Sequence, residues 1–122
     1  MDVYSFWQAV LAQDEGAMRG YFYPDAQVDW PCTNERFTLE EYLRANCRYP
    51  GDWDGEVERV VEQGELVITV TRVWPRDRSA SFHVTSFLRL RGDRIARMEE
   101  YWADDGPPPR WRREMGIGRP IR

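Results

Sequence analysis

The stretch Ser79–Asp104, SASFHVTSFLRLRGDRIARMEEYWAD, decides how this chain is read. Two long runs with strand composition flank Gly92-Asp93, a dipeptide suited to a tight hairpin turn. The second run ends in Glu99-Glu100-Tyr101-Trp102, followed by the acidic bend Asp104-Asp105-Gly106. A long hairpin late in a short chain, with helical segments ahead of it, predicts a sheet curved around a pocket.

Working outward, Val3, Phe6, Trp7, Val10 and Leu11 follow the spacing of an amphipathic helix. Asp14 is placed to cap a second short helix carrying Met18, Tyr21 and Phe22, with Pro24-Asp25 as its break. Ala26–Trp30 reads as a short strand stopped by Pro31. Thr38-Leu39-Glu40-Glu41 is a capping box, and the helix it opens buries Leu39, Tyr42, Leu43 and Cys47 before Pro50 ends it. Gly51–Gly55 reads as a loop with Trp53 at its centre. Glu56–Glu62 and Leu66–Trp74 are strands joined by Gln63-Gly64-Glu65, and Ser79–Arg91 and Arg94–Asp104 follow. The tail 106–122 holds four of the eight prolines and is expected to run extended over the surface, anchored by Trp111 and by Ile117 or Ile121. The order is helix, helix, strand, helix, then four antiparallel strands, an α+β arrangement within one domain of residues 1–122.

Composition narrows the function. The 17 basic residues are all Arg, so a Schiff-base lysine is impossible. His83 is the single histidine, which excludes zinc sites built on several imidazoles. Cys32 and Cys47 lack CxxC spacing, and a disulfide between them is not expected. No Gly-rich phosphate loop precedes a helix, so no cofactor and no metal are expected. A net charge of -4 gives no support to nucleic-acid binding. No apolar run suits a membrane span and the N-terminus lacks a signal-peptide pattern, so the expected location is cytoplasmic. Any chemistry then rests on carboxylates, Tyr, Ser, Cys or His83.

The order of elements, with Phe6–Met18, Ala26–Pro31, Phe82–Leu90 and Arg94–Trp102, resembles the nuclear transport factor 2-like superfamily, in its SnoaL-like and steroid delta-isomerase-like branch. The resemblance implies a cone: a strongly curved, antiparallel or mixed β-sheet wrapped around three N-terminal helices, enclosing a pocket. It also implies a homodimer through the outer face of the sheet, and a small-molecule ligand. The steroid isomerase's tyrosine, base aspartate and second acid fall on Phe6, Trp30 and Ser86, with Asp29 one residue early, so all three functional positions are replaced. The same alignment points Phe82, Val84, Ser86 and Leu88 inward, with Met98, Glu100 and Trp102, in agreement with period-two side-chain direction.

Glu100 is then the leading candidate for acid–base work, with Ser86 as its partner, because a carboxylate in an apolar pocket has a raised pKa. Its alternatives are a bulge that turns it outward, or pairing with a buried Arg such as Arg44 or Arg72. Trp30, Cys32, Tyr42, Trp53, Phe82, Val84, Met98 and Trp102 are the expected ligand-binding residues. Trp53, between glycines, is read as a mobile lid. His83 falls on the outer face with Thr85 and Phe87, where a dimer partner packs. Cys32 is a weak candidate nucleophile and Cys47 a weaker one. Asp104 and Asp105 read as turn chemistry. Two functions stay open: a cofactor-free isomerase, cyclase or dehydratase acting on an apolar or polycyclic compound, and a non-catalytic binding or dimerisation module.

Overall fold

Asp2 starts the first helix, α1 (Val3–Ala12), by accepting from the backbone N–H of Tyr4 and Ser5. The buried face of α1 is Val3, Phe6, Trp7, Ala9 and Val10. Gln13 ends it in the left-handed conformation and donates from Nε2 to the carbonyls of Asn46 and Tyr49, both at 2.8 Å. Asp14 caps α2 (Glu15–Arg19), as its position implies. The computed structural model describes all 122 residues.

The chain then departs from the sequence reading. Tyr21 and Phe22 do not continue α2; Phe22 opens a nine-residue strand, β1 (Phe22–Trp30). Pro24-Asp25 does not break it, because the pairing of β1 with the last strand shifts register between Phe22 and Gln27. Proline is tolerated where the ladder is already interrupted. A 3-10 turn (Pro31–Thr33) leads to β2 (Glu35–Thr38), a short edge strand that composition did not reveal. The expected capping box opens α3 (Leu39–Cys47), with Glu41 Oε1 on the Thr38 N–H and Thr38 Oγ1 on the Glu41 N–H.

β3 (Trp53–Gln63), β4 (Leu66–Pro75), β5 (Phe82–Arg91) and β6 (Arg94–Asp104) complete one six-stranded sheet in the order β2-β1-β6-β5-β4-β3. β1 and β6 are parallel and the other neighbours antiparallel, so the sheet is mixed. The inward parity of β5 and β6 is the expected one: Val84, Ser86, Leu88, Met98 and Glu100 are all buried. Against that face pack Phe6, Trp7 and Val10 of α1, Met18 of α2, and Leu39, Tyr42 and Leu43 of α3. Phe6 lies at the centre, edge-on to Trp7, Tyr21 and Phe22. No helix is long and apolar enough to cross a membrane.

Two further expectations change. Trp53 begins β3 rather than sitting mid-loop, and it pairs in register with Pro75. The flanking glycines permit close approach. Gly51 adopts φ 122°, and a side chain there would press on the Trp53 ring. The tail carries a short helix, α4 (Arg110–Glu114), and Trp111, Ile117 and Ile121 are exposed rather than anchoring. Polar contacts reach its end instead: Arg122 bonds Glu58 at 3.2 Å, beside His83.

At Gly55 an added Cβ would stand 2.7 Å from the Arg72 carbonyl oxygen and 3.0 Å from Leu11 Cδ1. Gly55→Ala is therefore expected to destabilise the fold by about 1–3 kcal/mol, the usual cost of overpacking. Urea unfolding measures it, and a loss below about 0.5 kcal/mol would mean that the start of β3 shifts freely.

Candidate functional site

Between α1, the turn after β1 and the concave end of the sheet lies a cavity of about 280 Å³. Its apolar walls come from Trp7, Val10 and Leu11 on α1, and from Trp30, Trp53, Val73, Phe82 and Trp102 on the strands. Tyr49, Gln13 and Asn46 border it where the C-terminal ends of α1 and α3 meet. Asn46 Nδ2 donates to the Val10 carbonyl at 3.1 Å, and with the two Gln13 bonds this ties the ends together. Cys32, Thr33 and Asp104, all exposed, complete the lining.

Glu100 is the one buried acid in this lining, with 1% of its surface exposed. Trp30 Nε1 donates to its Oε1 at 3.1 Å, and Ser86 Oγ donates to Oε2 at 2.7 Å. Burial pushes the Glu100 carboxyl above the ordinary 4.5, and the donors Ser86, Trp30 and, more weakly, Trp102 offset part of that rise. The Trp102 indole lies near the carboxylate, but its Nε1 is buried without a hydrogen-bond partner, as is that of Trp53. Both bonds on Glu100 come from neutral groups. Arg44 is exposed on α3, and Arg72 stacks 5.1 Å from the Trp74 ring while bonding Ser81 Oγ. The ion-pair alternative for Glu100 thus has no Arg to supply it.

The expected site residues divide in two. Glu100, Trp30, Cys32, Trp53, Phe82 and Trp102 border the cavity. Tyr42, Val84 and Met98 do not; they are fully buried in the core, Val84 and Met98 on the part of the sheet that the helices cover and Tyr42 on the covering helix. Burial raises the Tyr42 hydroxyl far above its usual value, with the Glu100 charge adding to the effect. Ser86 sits behind Glu100 and meets the cavity only through it, so its place is that of a positioning residue. Trp53 packs edge-on to Tyr49 and tilted against Phe82, forming a wall. Sequence reading missed Trp7, taken as core stripe, and Gln13, Asn46 and Tyr49, whose positions carry no periodic signal.

Two acids suggested by position do other work. Asp29 points outward between Arg36 at 2.9 Å and Arg97 at 3.2 Å, and the Arg36 hydrogen bond holds its carboxyl below the usual range despite partial burial. It cannot act as a base inside the cone. Asp105 accepts from Ser81 Oγ at 2.6 Å and meets His83 Nδ1 at 2.5 Å; burial works to raise its pKa, but these bonds hold it low. His83 is thereby fixed on the outer face, with Nε2 2.8 Å from Glu58. The cysteines are both free, and burial raises the Cys47 thiol. No group of three His, Cys, Asp or Glu side chains is arranged to hold a metal ion.

The SnoaL-like domain family matches residues 3–98, and the chain belongs to that family. The architecture is the nuclear transport factor 2-like cone. A candidate ketosteroid isomerase from Kribbella flavida superposes with a TM-score of 0.81 at 22% identity, over 98% of this chain and 87% of that one. A candidate SnoaL-like polyketide cyclase from Shewanella denitrificans gives 0.69 at 11%, over 83% and 87%. A protein of ketosteroid isomerase-like fold from Catenulispora acidiphila, solved in complex with trimethylamine, gives 0.70 at 16%, over 81% and 82%. A search of curated proteins gave no match.

Glu100→Gln tests the buried charge through stability. With the folded-state pKa raised, the protonated acid's stabilising contribution is fully present below about 4.5, the unfolded value, and is lost as pH rises through the folded pKa. Glutamine keeps the Trp30 bond on its oxygen and can donate to Ser86 Oγ. The variant should therefore gain on the parent as pH rises from about 4 to 8, read by urea unfolding. A loss above about 2 kcal/mol at every pH would make Glu100 a structural anchor instead.

Proposed function

We propose that the chain binds a small, largely apolar molecule in the cavity and moves a proton on it with Glu100, without cofactor or metal. The observation that carries this reading is a buried carboxylate on an aromatic-lined cavity with no basic residue to neutralise it. Such a group takes a proton in its ionised form and returns it in its neutral form, at a pKa nearer neutrality than an ordinary glutamate. Ser86 and Trp30 fix its orientation, and the family resemblance puts Trp30 where the steroid isomerase's base would be. The reaction is of isomerase, cyclase or dehydratase type. A volume of about 280 Å³ falls just below the ~300 Å³ at which pockets for drug-sized ligands begin, which favours a small ligand over a polycyclic one. The Catenulispora complex supports small-molecule binding on this fold.

The working form is proposed as a cytoplasmic homodimer joined by the outer sheet face, where Phe87 and Tyr101 stack edge-on and Tyr101 is 43% exposed. Sedimentation at micromolar concentration should show a dimer; a monomer would remove this part. The site is tested by a thermal-shift ligand screen followed by turnover assays on the hits. A true ligand raises Tm with its concentration, the stabilisation growing as RT ln(1 + [L]/Kd). Glu100→Gln should keep the fold and lose turnover by at least about 100-fold. Ser86→Ala should lose about tenfold through a disordered base. Ligand binding without any turnover would leave the non-catalytic binding module as the function.

A further inference from the structure

The cavity lining is one-sided in charge. Six aromatic rings face it, from Trp7, Trp30, Tyr49, Trp53, Phe82 and Trp102. Two acids join them, Glu100 at its base and Asp104 at its exposed rim. None of the 17 arginines lines it, and neither does His83. Aromatic faces carry negative potential, so each ring that turns its face to the cavity acts with the same sign as the base. Tyr49, Trp53 and Phe82 form one continuous wall, with ring centroids 5.3 and 5.9 Å apart. Trp30 is held on another side by its bond to Glu100 and by edge-on packing against Phe37.

A buried carboxylate bonded only by neutral donors keeps an unbalanced charge whenever it is ionised. A proton can balance it, or a positive ligand can. An anionic ligand would meet repulsion from Glu100 at the base and Asp104 at the rim. A neutral one gains only from area. A cation gains from both acids and from any ring face it meets, and it is the chemistry that aromatic cages recognise.

We propose that this cavity selects a small organic cation, a protonated or quaternary amine with an apolar body, its nitrogen held against Glu100 and the aromatic faces. The proposal rests on the reading of the cavity as the ligand site and names the class of ligand it takes. Size agrees, because about 280 Å³ has room for a compact ammonium with an apolar body.

The test uses three soluble probes of matched shape: choline, its neutral carbon isostere 3,3-dimethylbutan-1-ol, and the anion 3,3-dimethylbutanoate. Affinities come from tryptophan fluorescence and calorimetry on the full chain. Choline should bind about tenfold or more tightly than the alcohol, and the anion weakest. Glu100→Gln should remove most of the choline preference, weakening choline at least about threefold more than the alcohol. Asp104→Asn, at an exposed position that does not risk the fold, should weaken choline roughly threefold and spare the alcohol. Equal binding of choline and alcohol, or tighter binding of the anion, overturns the cation inference while the cavity stands as a ligand site. So does a choline affinity that neither substitution moves. Failure of all three probes to bind at tens of millimolar overturns the inference together with the cavity reading.

Discussion

The pairing of Ser86 with Glu100 across β5 and β6 is the constraint from which the rest follows. One residue of slip would send Glu100 to the outer face and bring Glu99 or Tyr101 into the core. Three features hold the register. The hairpin turns at Gly92, whose φ of 67° suits it to a glycine. The single register shift lies between Arg89 and Leu90, near the turn and away from the site. Beyond it, Met98, Glu100 and Trp102 stand opposite Leu88, Ser86 and Val84, so that an apolar pair flanks the polar one on each side. The Ser86–Glu100 bond is buried where a slip would leave both groups unpaired, and that penalty makes the register specific.

Much of this was legible in the sequence because it is local and periodic. The capping box at Thr38, the stripe on α1 and the alternation along β5 and β6 each depend on near neighbours, and each appears as read. What escaped is set by partners distant in sequence. Phe22 has a helical spacing from Met18, yet it lies in a strand because β6 offers a parallel edge. Four residues, Glu-Arg-Phe-Thr, become β2 only because β1 is there to pair with them. Strand parity gave the side facing inward, but it could not separate the part of that side covered by helices from the part left open. Val84 and Met98 went to the first; Phe82 and Trp102 went to the second. The boundary is the length of α1 and α3, whose ends are tied together by Gln13 and Asn46 at the cavity rim.

Charge is sorted between the two faces of the sheet. Outside, arginines find partners on nearly every strand. Arg36 and Arg97 hold Asp29, and Arg72 and Arg78 stack on Trp74 at 5.1 and 4.7 Å. Arg91 covers the Tyr23 ring at 4.1 Å. The single histidine is also spent there, between Asp105 and Glu58. Most of these contacts are solvated and contribute little to stability individually. Together they keep positive charge off the concave side. A guanidinium inside the cone would have been the simplest way to satisfy Glu100, and it stands nowhere in the lining.

That omission has a thermodynamic side and a chemical one. An arginine beside Glu100 would lower the carboxyl's pKa and lock it in the ionised form, as Arg36 does for Asp29. The group would then be a poor proton donor and a charge already neutralised. Neutral donors solve a different problem. Trp30 and Ser86 each satisfy one oxygen in either protonation state, because the indole N–H needs only a lone pair and the hydroxyl can donate or accept. The carboxyl is held in place without its charge being decided. The fold bears a carboxylate that costs stability when ionised, and in return the protonation state of Glu100 is left to pH and to whatever occupies the cavity.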